Sequence, residues 1–126
     1  MRVLIVDDDA GLRDILRDRL LPRADAVDLA ADAATAEAMA GRGYDALLID
    51  IILPDCDGAT LIRRLRKAGV RSRIVAMSGG GPGRSALEAL ASAEALGADA
   101  VLFKPFDTPR LLDAVFGAAR PAAAAE

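Results

Sequence analysis

Short apolar runs alternate along this chain with segments whose apolar residues recur at helical spacing. The runs occupy residues 2–6, 26–30, 46–49, 73–77 and 100–103. Because they are short and mostly apolar, they suit strands of a parallel sheet that is buried on both faces. Five strand–helix units predict an α/β fold, a flavodoxin-like three-layer sandwich with a doubly wound five-stranded parallel sheet in the order 2-1-3-4-5 and five helices.

The helices can be placed from the residues at their ends. Residues that stop helices follow three of the helical segments: Pro22, Gly69 and Gly97. Asp32 is placed to cap the second helix, and Thr108, followed by Pro109, is placed to cap the fifth. The fourth helix, at about residues 84–96, is rich in alanine, and its apolar phase is poorly defined.

The length of the chain suits one domain. Its 126 residues are 53% hydrophobic, enough to bury one core. We expect the domain to span residues 1–118 and the Ala/Pro tail at 119–126 to fray. No apolar run approaches the roughly 18 residues of a membrane span, and the opening run is too short for a signal peptide. We therefore expect a cytoplasmic protein that does not contact a membrane.

The composition excludes several kinds of site. The chain has no His and a single Cys, which rules out an internal disulfide framework, an ordinary zinc cage and histidine chemistry. The net charge of -3 argues against binding to nucleic acid. The chain has 15 Asp and 14 Arg but only 2 Lys, so each lysine merits attention.

Polar residues stand where four of the predicted strands end. Asp7 and Asp8 follow the first strand, Asp50 the third, Ser78 the fourth and Lys104 the fifth. One such Asp is more often a helix cap than a catalytic group. In the order 2-1-3-4-5, however, the first and third strands are neighbours, so the three carboxylates converge. Their repulsion is relieved by raised pKa values or by a divalent cation, and oxygen donors suit Mg²⁺.

Four short motifs together resemble the receiver domain of two-component response regulators. The motifs are Val-Asp-Asp at 6–8, Leu-Leu-Ile-Asp-Ile-Ile-Leu-Pro-Asp-Cys-Asp-Gly at 47–58, Met-Ser-Gly at 77–79 and Phe-Lys-Pro-Phe at 103–106. The resemblance covers about residues 1–118. It implies a stand-alone, single-domain response regulator rather than an enzyme, with at most self-phosphorylation and self-dephosphorylation.

The resemblance also implies a role for each of the three aspartates at the strand ends. Asp50 would accept a phosphoryl group from the phosphohistidine of a sensor histidine kinase. Asp8 and Asp50, with the backbone carbonyl of Ile52, would hold Mg²⁺, and Asp7 would act through a bound water.

The remaining motif residues would bind the phosphoryl group and transmit its arrival. By the same resemblance, Ser78 and Lys104 would bind the phosphoryl oxygens, and the Lys104–Pro105 peptide would be cis. The implied partners are a sensor histidine kinase or a histidine phosphotransfer protein, a downstream protein target and, on phosphorylation, a second copy of the chain. No nucleic acid is expected among them.

Three positions depart from the family pattern. Val101 stands where many receivers carry the aromatic residue that reports phosphorylation. Ile52 is apolar where many receivers have a polar side chain able to orient water, and Gly80 stands two residues after Ser78. Because Ile52 cannot orient an attacking water, we expect slow loss of the phosphoryl group, even though Gly80, which has no side chain, leaves room for a water.

Two other functions remain open from the sequence. The glycine-rich segment at 78–85 resembles a phosphate-binding P-loop in which Ser78 replaces the first Gly and Arg84 replaces the Lys. Arg is a poor substitute for that compact charge, which weakens this alternative. The other is a receiver-like scaffold that binds partners without phosphorylation, although such a scaffold has no need of the whole set of polar residues at the strand ends.

Overall fold

The structure is a computed structural model, and it describes residues 1–79 and 86–117. In that part of the chain five strands alternate with five helices: β1 Arg2–Val6, α1 Ala10–Leu20, β2 Ala26–Ala30, α2 Ala33–Ala40, β3 Ala46–Asp50, α3 Gly58–Lys67, β4 Arg73–Ser78, α4 Ala86–Leu96, β5 Ala100–Phe103 and α5 Thr108–Phe116. All neighbouring strands are parallel, in the order β2-β1-β3-β4-β5. The predicted fold class and strand order are confirmed.

The sheet is buried on both faces because successive side chains of each strand point to opposite sides. Val3 and Ile5 of β1 lie in a core formed with α1 and α5. Leu4 and Val6 lie in a second core, formed with α2 and α3. Helix α4 packs beside α3 against β4 and β5. Burial on both faces explains why the strands are almost continuously apolar.

Strands β3 and β4 each extend one residue beyond their predicted ends. Asp50 pairs with Met77, and Ser78 pairs with Phe103, so both polar residues belong to the sheet ladder. Both are also buried. Asp50 and Ser78 are therefore held by strand pairing rather than carried on loops.

Aspartates begin four of the described helices. The N-caps of α1, α2, α3 and α5 are Asp9, Asp32, Asp57 and Asp107. The cap predicted for α2 is confirmed, but the cap predicted for α5 is wrong. The carboxylate of Asp107 accepts the Arg110 amide at 2.9 Å, and Thr108 is the first helical residue instead. Because Pro109 has no N–H to satisfy, it is tolerated within this first turn.

The C-terminal end of α4 is held by a side chain of α3. Gly97 follows α4 with a φ of +120°, as expected of a helix-closing glycine. The Arg66 guanidinium donates to the carbonyls of Gly97 at 3.0 Å, Val70 at 2.9 Å and Ser72 at 2.8 Å. It also pairs with the Asp99 carboxylate at 2.8 Å. Arg66 thus joins α3, the connection from α3 to β4 and the turn between α4 and β5.

Replacing Arg66 by Ala is expected to lower the free energy of unfolding by about 1.5 kcal/mol, since several carbonyls would lose a charged donor at once. Urea unfolding measures the change. The control is Arg63→Ala, because Arg63 is exposed on the same helix and its removal is expected to alter stability by less than about 0.5 kcal/mol. Equal midpoints for the two variants would contradict the assigned role of Arg66.

Two sequence predictions concern residues at the margins of the structure. The tail at 119–126 and the predicted first turn of the fourth helix, at 84–85, lie outside the described residues. The domain limit at residue 118 stays a prediction. Within residues 1–79 and 86–117, every helix falls short of the length and apolarity that crossing a bilayer requires.

Candidate functional site

Two buried carboxylates meet at the carboxyl edge of the sheet. Val6 pairs with Ile49 in the parallel register, so Asp7 and Asp50, the next residues, lie side by side. Asp7 is 1% exposed and Asp50 is 6% exposed. Parallel neighbours end at the same edge of the sheet, which is why the strand order predicted this convergence.

Asp8 completes an acidic cluster at this edge. Asp7, Asp8 and Asp50 each offer a carboxylate oxygen, and these oxygens lie within 4.8 Å of one another. Asp8 is exposed, so the cluster opens to solvent on one side. A set of hard oxygen donors around one open position fits Mg²⁺, which binds few protein carboxylates and keeps several waters.

Lys104 brings a positive charge to both buried carboxylates. Its Nζ lies 2.9 Å from Asp50 Oδ2 and 3.1 Å from Asp7 Oδ2. The backbone places it there, because the Lys104 amide donates to the Ser78 carbonyl at 2.8 Å and continues the pairing of β5 with β4. The Lys104–Pro105 peptide is cis. The structure therefore brings together Asp7, Asp8, Asp50 and Lys104 from three strand ends.

For both Asp50 and Lys104, burial and the neighbouring opposite charge shift the pKa in opposite directions. Burial raises the pKa of the Asp50 carboxyl above its ordinary value, against the lowering effect of the Lys104 ammonium. Burial by itself disfavours the charged Lys104, but the neighbouring carboxylates of Asp50 and Asp7 outweigh it and raise the pKa of that amine. Lys104 is thus held cationic beside an acidic site that favours additional positive charge.

Backbone amides hold the second oxygen of each buried carboxylate. Asp50 Oδ1 accepts the Ile52 amide at 3.1 Å, and Asp7 Oδ1 accepts the Asp9 amide at 2.9 Å. Each carboxylate is therefore anchored from two directions, by a backbone amide and by Lys104. Anchoring of this kind limits the orientations available to Asp50.

The other predicted site residues lie around this cluster. Ser78 is buried at the end of β4, next to the strand that carries Asp50. The Ile52 side chain is 57% exposed, and its amide is the donor to Asp50. Val101 is half-buried and packs against the core on the α2 and α3 side of the sheet. Most of the glycine-rich segment, 80–85, lies outside the described residues.

Sequence reasoning missed the contacts that three residues make around the site. Arg13, in the first turns of α1, donates from Nη1 to the Asp7 carbonyl at 2.6 Å. Gly58 packs directly against the backbone of Asp50. Asp55 joins the loop after β3 to α2. The Asp-Cys-Asp-Gly motif contains two of them, but a motif does not show which neighbour each residue contacts.

Comparison with known proteins identifies the family to which this arrangement belongs. The response regulator receiver domain matches residues 3–116. The chain is 37% identical over 113 residues to response regulator MprA of Mycobacterium avium (strain 104), covering 89% of this chain and 48% of the relative. It is 33% identical over 107 residues to transcriptional regulatory protein QseB of Escherichia coli O157:H7, covering 84% of this chain and 47% of the relative.

Solved structures show the same architecture. A CheY-like response regulator receiver domain protein from Methanospirillum hungatei JF-1 superposes with a TM-score of 0.79 at 30% identity, covering 89% of this chain and 87% of that one. Chemotaxis response regulator CheY4 of Vibrio cholerae gives 0.77 at 26% identity, covering 89% and 92%.

The two curated relatives are matched over similar shares of their length. The chain spans about half the length of the curated relatives it matches. The fold, the acidic cluster and the family match over residues 3–116 all agree. This chain belongs to the receiver domain family of two-component response regulators.

Proposed function

We propose that this receiver is a phosphorylation-controlled switch whose phosphoacceptor is Asp50. The observation that carries the proposal is the placement of the Asp50 carboxylate, 2.9 Å from the Lys104 ammonium and within a cluster of three acidic side chains. Phosphoryl transfer needs an acceptor aligned with its donor and positive charge around the transferred group. Lys104 supplies positive charge there, and the acidic cluster is suited to receive more.

The residues present fit Mg²⁺. Asp8 and Asp50, with the Ile52 carbonyl, would hold the ion, and Asp7 would act through a bound water. Bound there, Mg²⁺ supplies positive charge that neutralises the phosphoryl oxygens during transfer. The support is the oxygen-only donor set and its open side at Asp8.

The transfer itself exchanges one bond to phosphorus for another. An Asp50 carboxylate oxygen forms a bond to the phosphorus of a phosphohistidine, and the phosphorus–nitrogen bond breaks. The imidazole leaves with the electron pair of that bond. Lys104 then faces an acyl phosphate and binds one of its oxygens, while the Ser78 hydroxyl, at the end of the next strand, moves to bind another. This movement biases the segment after β4 and so changes the surface offered to partners.

The proposal also includes the source of the phosphoryl group and the kind of output that it controls. We propose that a sensor histidine kinase or a histidine phosphotransfer protein supplies the group in the cytoplasm, and that the output is a changed protein–protein contact, including pairing of two copies. Direct contact of this domain with nucleic acid is not part of the proposal, since its charge is -3. Single-domain status stays a prediction.

Labelling with a small phosphodonor tests the proposal. The protein is incubated with acetyl phosphate and Mg²⁺, and its intact mass is measured. We expect a phosphate-sized gain that requires Mg²⁺ and is absent in Asp50→Ala. The control is Asp113→Ala, an exposed position on α5, which should retain the gain. Absence of labelling in the unsubstituted protein would instead indicate a scaffold, and ATP binding without labelling would indicate a nucleotide-binding protein.

The lifetime of the acyl phosphate provides a separate prediction. Ile52 is exposed beside the site and has no polar group to orient a water molecule for attack. Ile52→Asn adds such a group and is expected to shorten the lifetime. The loss of the mass gain is followed after the phosphodonor is removed. Equal or slower decay in the variant would contradict the prediction.

A further inference from the structure

The first turn of α2 is capped by two aspartates that come from different parts of the chain. Asp32, its own N-cap, accepts the Thr35 amide at 2.7 Å. Asp55, from the loop between β3 and α3, accepts the Ala33 amide with Oδ1 and the Ala34 amide with Oδ2, both at 2.9 Å. Together the two side chains satisfy the first three helical amides, which have no partner within a helix.

The contact made by Asp55 favours its charged form. Two backbone amides donate to the carboxylate, and they hold the pKa of Asp55 below its ordinary value. The positive end of the α2 dipole also favours the charged form of Asp55. The carboxylate is therefore ionised and bound to α2 near neutral pH.

Asp55, which tethers the loop after β3 to α2, lies three residues after Ile52. It belongs to the segment that follows the proposed phosphoacceptor, Asp50. Between Ile52 and Asp55, Leu53 is buried in the core with Ala33, and Pro54 restricts the backbone further. On the other side, the Ile51 amide is paired with the Met77 carbonyl at 3.0 Å. The peptide at Ile52 is thus held from both ends.

The Ile52 side chain contributes little to its own placement, because it is 57% exposed. The orientation of the Ile52 backbone therefore depends on its own amide, which donates to Asp50 Oδ1, on its bridge to Asp57 and on the contacts that flank it. Of these, the Asp55 carboxylate ties the segment to a helix outside β3 and α3.

We infer that Asp55 is a positioning residue of the phosphoacceptor site, which ties the 51–57 loop to α2 and thereby holds the Ile52 carbonyl where Mg²⁺ is to bind. The effect on Mg²⁺ rests on the proposed function, whereas the tether itself does not. Loss of Asp55 releases the loop from the amides of α2, whereas loss of Asp32 weakens the same helix end without touching the loop. The two variants therefore separate positioning from helix stability.

Two measurements compare Asp55→Ala with the matched control Asp32→Ala, well below the unfolding temperature. In the metal-free protein, hydrogen exchange of the amides at 51–57 is expected to accelerate in Asp55→Ala and to stay unchanged in Asp32→Ala. By calorimetry, Mg²⁺ is expected to bind about tenfold more weakly to Asp55→Ala, as for other residues that orient a metal ligand. Asp55→Asn, which keeps one acceptor oxygen, should lie between.

The outcomes distinguish this inference from the proposed function. If the loop amides exchange equally in Asp55→Ala and Asp32→Ala, or if both variants weaken Mg²⁺ binding alike, the positioning role is overturned. If the unsubstituted protein binds no Mg²⁺, the proposed metal site fails, and with it the claim about the Ile52 carbonyl. Accelerated exchange confined to Asp55→Ala would still support the tether.

Discussion

Gly58→Ala is expected to lower the free energy of unfolding by about 3 kcal/mol, at the upper end of the cost of overpacking. A Cβ at Gly58 would lie 2.2 Å from the Asp50 carbonyl oxygen and 2.7 Å from Ile51 Cα. Both are backbone atoms of the segment that carries the phosphoacceptor, so they cannot move aside like a flexible side chain. The Gly58 amide also donates to the Ile51 carbonyl at 2.7 Å, which holds the two backbones together.

The same crowding should slow labelling by acetyl phosphate, because any relief of the clash displaces Asp50. Urea unfolding and the rate of mass gain measure the two effects. Gly41→Ala is the control, since Gly41 has a φ of -70° and a Cβ there would meet nothing within 4 Å. That change is expected to be neutral or to stabilise by about 0.5 kcal/mol. Matching urea midpoints for the two variants would refute the argument from Gly58.

Lys104→Met is expected to lower the free energy of unfolding by about 2.5 kcal/mol at neutral pH in the absence of metal. The ammonium is the charged donor to both Asp7 and Asp50, and both carboxylates are buried. Without it, two like charges face each other. Methionine keeps most of the volume of the lysine side chain. The lost stability therefore reflects the missing charge rather than altered packing.

Mg²⁺ should reverse part of this loss. A divalent ion restores positive charge to the acidic cluster, so it is expected to stabilise Lys104→Met more than the unsubstituted protein. Urea unfolding with and without Mg²⁺ measures the difference. The chain has one other lysine, Lys67, exposed on α3, and Lys67→Met should leave stability and its response to Mg²⁺ unchanged. Weaker stabilisation of Lys104→Met by Mg²⁺ would show that Lys104 and the ion do not share the cluster.

The convergence of the acidic residues could be predicted from the sequence. Hydrophobic runs located the strands to within one residue, and chain connectivity restricted the strand order. Once β1 and β3 are neighbours, the residues at their carboxyl ends must meet, which placed Asp7 beside Asp50. Lys104 followed in the same way, because its strand ends at the same edge.

Other contacts depend on distances that sequence patterns do not contain. Asp107 and Thr108 both have side chains that cap helices well. Which of them caps α5 depends on where the helical backbone begins. Asp57 directly precedes α3, and its position in the sequence predicts that it caps that helix, whereas Asp55, two residues earlier, caps the distant helix α2. Local sequence does not show the contact of Asp55, since it rests on which amides lie within hydrogen-bond distance.

Hydrophobic periodicity and the order of polar residues therefore established the layered fold, its sheet edge and the main members of the acidic cluster. These features depend on short-range patterning and on connection rules that hold for any chain of this type. Tertiary packing decided the rest: the close approach of Gly58 to Asp50, the tether of Asp55 to α2 and the contacts of Arg66 around Gly97. Each of these joins separate segments across a few ångströms, and such proximity exists only after the layers have packed.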